Sequence, residues 1–251
     1  MMTVLITGAS SGIGAGLAKS FAADGHPVIA CGRDPSRLAA LQRHSPNISL
    51  RSFDMTDRES CRQALAECRA DLIILCAGTC EYLDHGTVDA ALVERTIATN
   101  FLGPVNCLEA LQPQLSVGNR VVLVSSMAHW LPFPRAEAYG ASKAALTWFA
   151  NSLRLDWEPK GIAITVVSPG FVDTPLTRKN DFSMPGQVSV EHAVKAIRRG
   201  LAKGKNHIVF PTGFGMLLRL LAGLPEGLQR LLLRRMVRSR ISRLLAAALP
   251  V

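Results

Sequence analysis

Thr7-Gly8-Ala9-Ser10-Ser11-Gly12-Ile13-Gly14 is the stretch that decides how this chain is read. An apolar run, Val4–Ile6, leads into it, and apolar residues spaced by three and four follow from Ile13 to Ala23. Strand, glycine turn and helix form the opening of a βαβ unit. Its glycines let backbone N–H groups approach a pyrophosphate at the positive end of the helix dipole. Glycines alone are a weak signal, because a tight turn without ligand has the same composition. After a first strand they point to phosphate binding. Gly8, Ser10, Ser11, Gly12, Ile13 and Gly14 are therefore the first candidate cofactor contacts.

The alternation continues along the chain. Strand-like runs lie at Thr3–Thr7, Pro27–Gly32, Ser49–Asp54, Asp71–Cys76, Arg120–Ser125, Ala163–Ser168 and His207–Phe210. Helical spacing marks Ile13–Ala23, Leu92–Leu111 and Ala141–Leu155. Strands with near-continuous Val, Ile and Leu belong to a buried parallel sheet covered on both faces. The expected class is α/β, a Rossmann-type doubly wound parallel sheet of about seven strands. Residues 1–211 read as one dinucleotide-binding and catalytic domain, and 212–251 as a basic, leucine-rich helical extension.

Composition narrows the function. Of the 251 residues 48% are hydrophobic and 19% charged, which excludes a disordered chain. No apolar run reaches the roughly 18 residues of a membrane span, and no charged segment precedes an apolar one as in a secretion signal. Cys31, Cys61, Cys68, Cys76, Cys80 and Cys107 contain no CxxC pair and read as reduced thiols of a cytoplasmic protein. Residues 212–251 hold seven arginines against Glu226, so six of the nine net positive charges sit in the extension. Without aromatic stacking motifs or zinc-ligand spacing, neither a nucleic-acid partner nor a metal is expected.

The GxxxGxG spacing of TGASSGIG resembles the glycine motif of the short-chain dehydrogenase/reductase family. Asp54, Ala77-Gly78, Asn100, Ser126, Tyr139-x-x-x-Lys143 and Pro169-Gly170 follow in that family's order, over about residues 2–211. The resemblance implies an NAD(P)-dependent oxidoreductase. It assigns Tyr139 the proton transfer at the substrate oxygen, Lys143 the nicotinamide ribose hydroxyls, Ser126 the carbonyl oxygen and Asn100 a water of the proton relay. It also implies cofactor contacts at Ala77, Gly78, Pro169, Gly170, Val172 and Thr174, and an adenine contact at Asp54. Asp54 and Thr174 read equally well as helix caps. Where the family carries an asparagine before Ala-Gly, this chain has Cys76, which puts the tie between central strands in doubt.

Independently of family, Tyr139 and Lys143 lie one turn apart on one helix face. A phenol with pKa near ~10 is a poor acid–base catalyst at neutral pH, and an adjacent ammonium is expected to lower it. Ser125 is the neighbouring candidate for the serine role, but the thirteen-residue spacing to Tyr139 favours Ser126.

The second strand ends in Gly32-Arg33-Asp34. An acid there would accept from a ribose 2′-hydroxyl, and a basic group would pair with a 2′-phosphate. Alignment of the family's acidic position with Gly32 leaves Arg33 for the phosphate and favours NADP. Asp34, at the generic spacing for a ribose acid, keeps NAD open. Around the reacting carbon the chain offers Trp130, Leu131, Phe133, Phe171, Leu176 and Met184, with His129 and Tyr82 polar, which suits a hydrophobic ketone, aldehyde or alcohol. The polar segment Thr177–Gln187 reads as a mobile lid. The Arg/Leu extension suits a membrane surface, or equally a subunit interface or a cover over the substrate mouth, with the chain at the inner face of the membrane in the first case. Family habit implies a homo-oligomer, dimer or tetramer. A non-catalytic NADP(H)-sensing protein and a non-redox lyase or epimerase on the same scaffold are the alternatives.

Overall fold

The computed structural model describes residues 1–84 and 86–234. Seven strands, β1 (Val4–Thr7), β2 (Val28–Gly32), β3 (Ile48–Ser52), β4 (Leu72–Leu75), β5 (Arg120–Val124), β6 (Ala163–Pro169) and β7 (His207–Phe210), form one sheet. Their order is β3-β2-β1-β4-β5-β6-β7, and every pairing is parallel. Side chains alternate between the faces, so each apolar strand feeds two cores. Val4 and Ile6 of β1 join Leu72 and Ile74 of β4 on one face. Leu5, Ile73 and Leu75 join Val121 and Leu123 of β5 on the other.

Among the described residues the sheet is flanked by α1 (Gly12–Ala23), α2 (Pro35–Gln42), α3 (Arg58–Leu65), α4 (Ala90–Ile97), α5 (Gly103–Leu111), α6 (Glu137–Trp157), α7 (Val190–Ala202) and α8 (Thr212–Ala222). Leu17 and Phe21 of α1, Leu38 of α2 and Ile197 of α7 pack on the first face. Leu65 of α3, Leu108 and Leu111 of α5, and Leu146 and Trp157 of α6 pack on the second. Starts are set locally: Asp34, Asp57, Asp89 and Ser189 each accept a backbone N–H as helix N-caps. Between α4 and α5 the chain does not form the single α-helix that the spacing from Leu92 to Leu111 predicts. Ala98–Leu102 is a π turn, and Asn100 sits in it. No helix among the described residues is long and apolar enough to cross a membrane.

The strand order reverses between β1 and β4, which opens a crevice at their carboxyl ends. One side chain holds that crevice together. The buried Thr7 hydroxyl accepts from the amides of Cys76 (3.1 Å) and Ala77 (3.3 Å), so β1 reaches the loop after β4 without an asparagine. Thr7→Val keeps the shape but leaves two buried donors unpaired, and should cost about 2–3 kcal/mol in urea denaturation. The Cys76 side chain takes no part in this tie, which uses only its backbone amide. Burial pushes its thiol up to about 11 against the opposing Lys143 charge and the Gly14 amide, so it is a small apolar group and not a nucleophile.

Candidate active site

The glycine turn takes the shape its sequence calls for. Gly8 and Gly12 have φ of 68° and 52°, the left-handed region. A Cβ at Gly8 would lie 2.7 Å from the Cα of Ala77, and one at Gly14 would lie 2.3 Å from the Gly8 carbonyl. The loop therefore presses against the end of β4 and against α1 with no room for side chains. Ser11 caps α1 without a side-chain hydrogen bond, so its hydroxyl does not take up the first amides of the helix. Thr174 faces this turn: its Cγ2 would be 3.0 Å from a Cβ on Gly12. It forms a reciprocal turn with Thr177 through hydrogen bonds of 3.0 and 3.4 Å.

At the other end of the cradle, the two acids divide differently from their spacing. Asp34 is committed to α2: it accepts from the Arg37 amide at 3.1 Å and pairs with its guanidinium at 3.1 Å. Asp54 is not the cap of α3, because Asp57 fills that place. Instead it accepts from the Thr56 amide (2.9 Å) and hydroxyl (2.8 Å) and faces Arg33 at 3.7 Å. Partial burial pulls the Asp54 carboxyl up, but Thr56 and Arg33 outweigh it and hold it below the usual carboxylate range. Arg33, with its side chain 71% exposed, makes this ion pair and otherwise faces solvent at the end of β2.

Between β4, β5 and α6 the other predicted residues come together. Asn100 is fully buried. Its amide donates to the Thr79 carbonyl and the Ser142 hydroxyl, both at 2.9 Å, and its oxygen accepts from the Thr79 amide at 2.8 Å. This pins the loop after β4 to α6. Gly78 lies inside the same loop, where a Cβ would be 3.1 Å from the Asn100 oxygen and 3.4 Å from the Lys143 nitrogen. Lys143 is buried, donates to the Val124 carbonyl at 2.9 Å and lies 5.9 Å from the centre of the Tyr139 ring. The Ser126 hydroxyl is placed to donate to the Tyr139 oxygen and accepts from the Ala128 amide at 3.1 Å. Ser125 is turned away, into α6, where it meets Thr147 at 2.7 Å and the Lys143 carbonyl at 3.1 Å.

The electrostatics correct one expectation. Lys143 does not draw the Tyr139 phenol down. Burial pushes that phenol above its ordinary value, with Ser126 opposing only in part. The ammonium itself is brought from 10.5 down to about 8, chiefly by burial. Its protonated form is thus disfavoured by folding, and the cost is complete below pH 8, falls between 8 and 10.5 and is absent above. Lys143→Met removes that titration. The stability difference between variant and wild type should therefore change by about 3 kcal/mol between pH 7.5 and pH 10.5, shrinking as pH rises, in parallel urea curves.

Over this cluster lies an apolar wall of Met127, Leu131 and Leu218, with Trp130, Phe133 and Phe214 packed against it. Phe171 contacts Phe214 (6.4 Å between centres) and Phe182 (6.0 Å). Pro169 ends β6, Gly170 donates to Phe210 at 2.8 Å, and buried Val172 bridges to Val188. The segment read as a lid is fastened: Tyr82 donates to Asn180 at 2.9 Å, and Arg135 pairs with Asp84 (2.7 Å) and Asp181 (2.8 Å). Arg135 holds this position at φ 69°.

Two neighbours of the apolar wall were invisible in the sequence. His207 accepts or donates at 2.9 Å to Ser168 and meets the Arg219 guanidinium at 3.0 Å. Arg219 lies 4.9 Å over the Trp130 ring. Burial, then the charges of Arg219, His129 and Arg154, lower His207 to about 4, so it is neutral. Arg219, read as part of a surface charge, in fact clamps α8 to the sheet. Only its distance from β7 along the chain hid that role.

Comparison with known proteins agrees with this geometry. The short chain dehydrogenase family matches residues 2–183. The chain is 33% identical over 237 residues to an uncharacterized oxidoreductase of Myxococcus xanthus, covering 90% of this chain and 94% of that one. It is 32% identical over 209 residues to 11-beta-hydroxysteroid dehydrogenase 1A of Arabidopsis thaliana, covering 78% of this chain and 60% of that longer relative. Among solved structures, a Sphingobium yanoikuyae short-chain dehydrogenase in complex with NADPH superposes with a TM-score of 0.77 at 27% identity, covering 90% of this chain and 97% of that one. A Burkholderia cenocepacia short-chain dehydrogenase in complex with NADP shares the fold, with a TM-score of 0.80 at 23% identity over 95% and 96% of the two chains. The chain belongs to the short-chain dehydrogenase/reductase family of oxidoreductases.

Proposed function

We propose that this chain is an NADP(H)-dependent oxidoreductase that interconverts a carbonyl and an alcohol on a hydrophobic, lipid-like substrate. The observation that carries the reading is the convergence of Ser126, Tyr139, Lys143 and Asn100 beneath an apolar wall, at the mouth of a glycine cradle. The cradle suits a dinucleotide: close backbone approach at Gly8, Gly12 and Gly14, a start of α1 that the Ser11 side chain does not cap, and Arg33 for a 2′-phosphate. Asp34 is spent on a helix cap, which favours NADP over NAD.

When bound, a reduced nicotinamide supplies hydride to the carbonyl carbon. The side chains manage the oxygen. Ser126 donates to it, and Tyr139, held as a neutral phenol by burial, gives it the proton. Lys143, fixed by Val124, faces Gly78 and the ribose side of the cradle. Asn100 positions the loop that carries Gly78, and its place in a π turn is one that recurs at functional sites. Trp148 and Leu155, 81% and 73% exposed on the outer side of α6, offer an apolar face for a second copy of the chain.

The test is NADPH oxidation, with NADH alongside, against ketones of increasing chain length. Rates rising with chain length support the reading. Tight NADPH binding without turnover of any carbonyl overturns it in favour of a sensor or a non-redox enzyme.

A further inference from the structure

α8 is apolar on two faces, and one of them has no protein partner among the described residues. Its inner face, Phe214, Leu218 and Leu221, closes over Met127 and Leu131. Its outer face carries Met216, Leu217 and Leu220, which are 58%, 51% and 72% exposed. The chain is helical again over 226–234, where Leu228, Leu231 and Leu232 are also exposed. These six are half of the twelve exposed large hydrophobics of the described residues, gathered between 216 and 232. A helix in water normally turns a polar face outward, and a helix apolar all round needs a second apolar environment.

The charges around this patch are mostly positive, with Arg230 paired to Glu226 at 2.8 Å. Arg230 and Arg234 are exposed within it, the sequence beyond adds Arg235, Arg238, Arg240 and Arg243, and Glu226 is the single acid of 212–251. A second copy meeting this patch face to face would bring like charges together. An anionic bilayer supplies both the apolar phase and the opposite charge.

We infer that this surface docks on an anionic membrane, with α8 as the partition between lipid and substrate pocket. A hydrophobic substrate then reaches the site from the bilayer, a step that rests on the reading in the preceding subsection. The experiment is co-sedimentation of the full chain with phosphatidylglycerol vesicles and with phosphatidylcholine vesicles. The expected result is binding at least about tenfold tighter to the anionic vesicles, weakening with salt. Leu217→Glu with Leu220→Glu should reduce that binding about tenfold and leave NADPH oxidation with a short water-soluble ketone unchanged. Leu228→Glu with Leu231→Glu, on the second helix, should reproduce the loss, so a folding defect in one variant does not decide the matter. Protein that stays in the supernatant, or that binds both vesicles equally, overturns the inference. So do variants that sediment as before while light scattering shows an oligomer falling apart. Failure of the redox reading shows separately, as protein that sediments but oxidises no NADPH.

Discussion

Tyr139→Phe is expected to lower turnover about 100- to 10,000-fold and to leave NADPH binding within about twofold. The phenol hydroxyl touches Ser126 and carries no structural hydrogen bond to the backbone, so its removal takes away a proton and little else. The ring itself stays, still 5.9 Å from the Lys143 ammonium. Stability should therefore hold while chemistry fails, and the split is visible by measuring kcat alongside a fluorescence titration with NADPH. Retained turnover would remove Tyr139 from the proton-transfer role. A fall in both quantities would point to a collapse of the pocket instead.

The second large effect is expected at Arg33. Arg33→Ala should raise KM for NADPH by about 10- to 100-fold, the worth of a charge-assisted contact, and leave KM for NADH nearly unchanged. The neighbouring charges differ in how firmly they are occupied. Arg37 is engaged by Asp34 at 3.1 Å, whereas Arg33 meets Asp54 only at 3.7 Å and keeps its side chain 71% exposed at the end of β2. Asp34→Ala serves as the contrast. It should cost about 1 kcal/mol of stability through the lost cap and shift the NADPH/NADH ratio little. An unchanged ratio in Arg33→Ala, or a large shift in Asp34→Ala, would reverse the assignment of the ribose site.

Much of the fold was legible because a parallel sheet buried on both faces needs continuous apolar strands, and all seven stand out in the sequence. The glycine turn was legible for a similar reason. Gly8 and Gly14 meet backbone at distances that admit nothing larger, so their spacing is geometry written as composition. What could not be read depended on contacts between distant parts of the chain. Thr7 looks like an ordinary strand residue until the loop after β4 comes to rest on it. Arg219 looks like tail charge until β7 places His207 beside it. Spacing marked Asp34 for a ribose contact and resemblance marked Asp54 for an adenine contact, but neither hint reported the hydrogen bonds from Arg37 and Thr56 that these carboxylates accept. The Tyr139–Lys143 pair was found by spacing, but the sign of the shift at Tyr139 was set by burial, which spacing does not report.

The π turn at Ala98–Leu102 has a consequence for how this chain can vary. It works as a spacer of one residue between two alignments: α4 and Asn100 are indexed to the site, and Cys107, Leu108 and Leu111 of α5 are indexed to the core. Losing one residue there would restore a uniform helix and rotate everything after it by about 100°. The helix could then serve the site or the core, but not both. Length changes in this stretch are therefore confined to whole turns, or to the loops at either end.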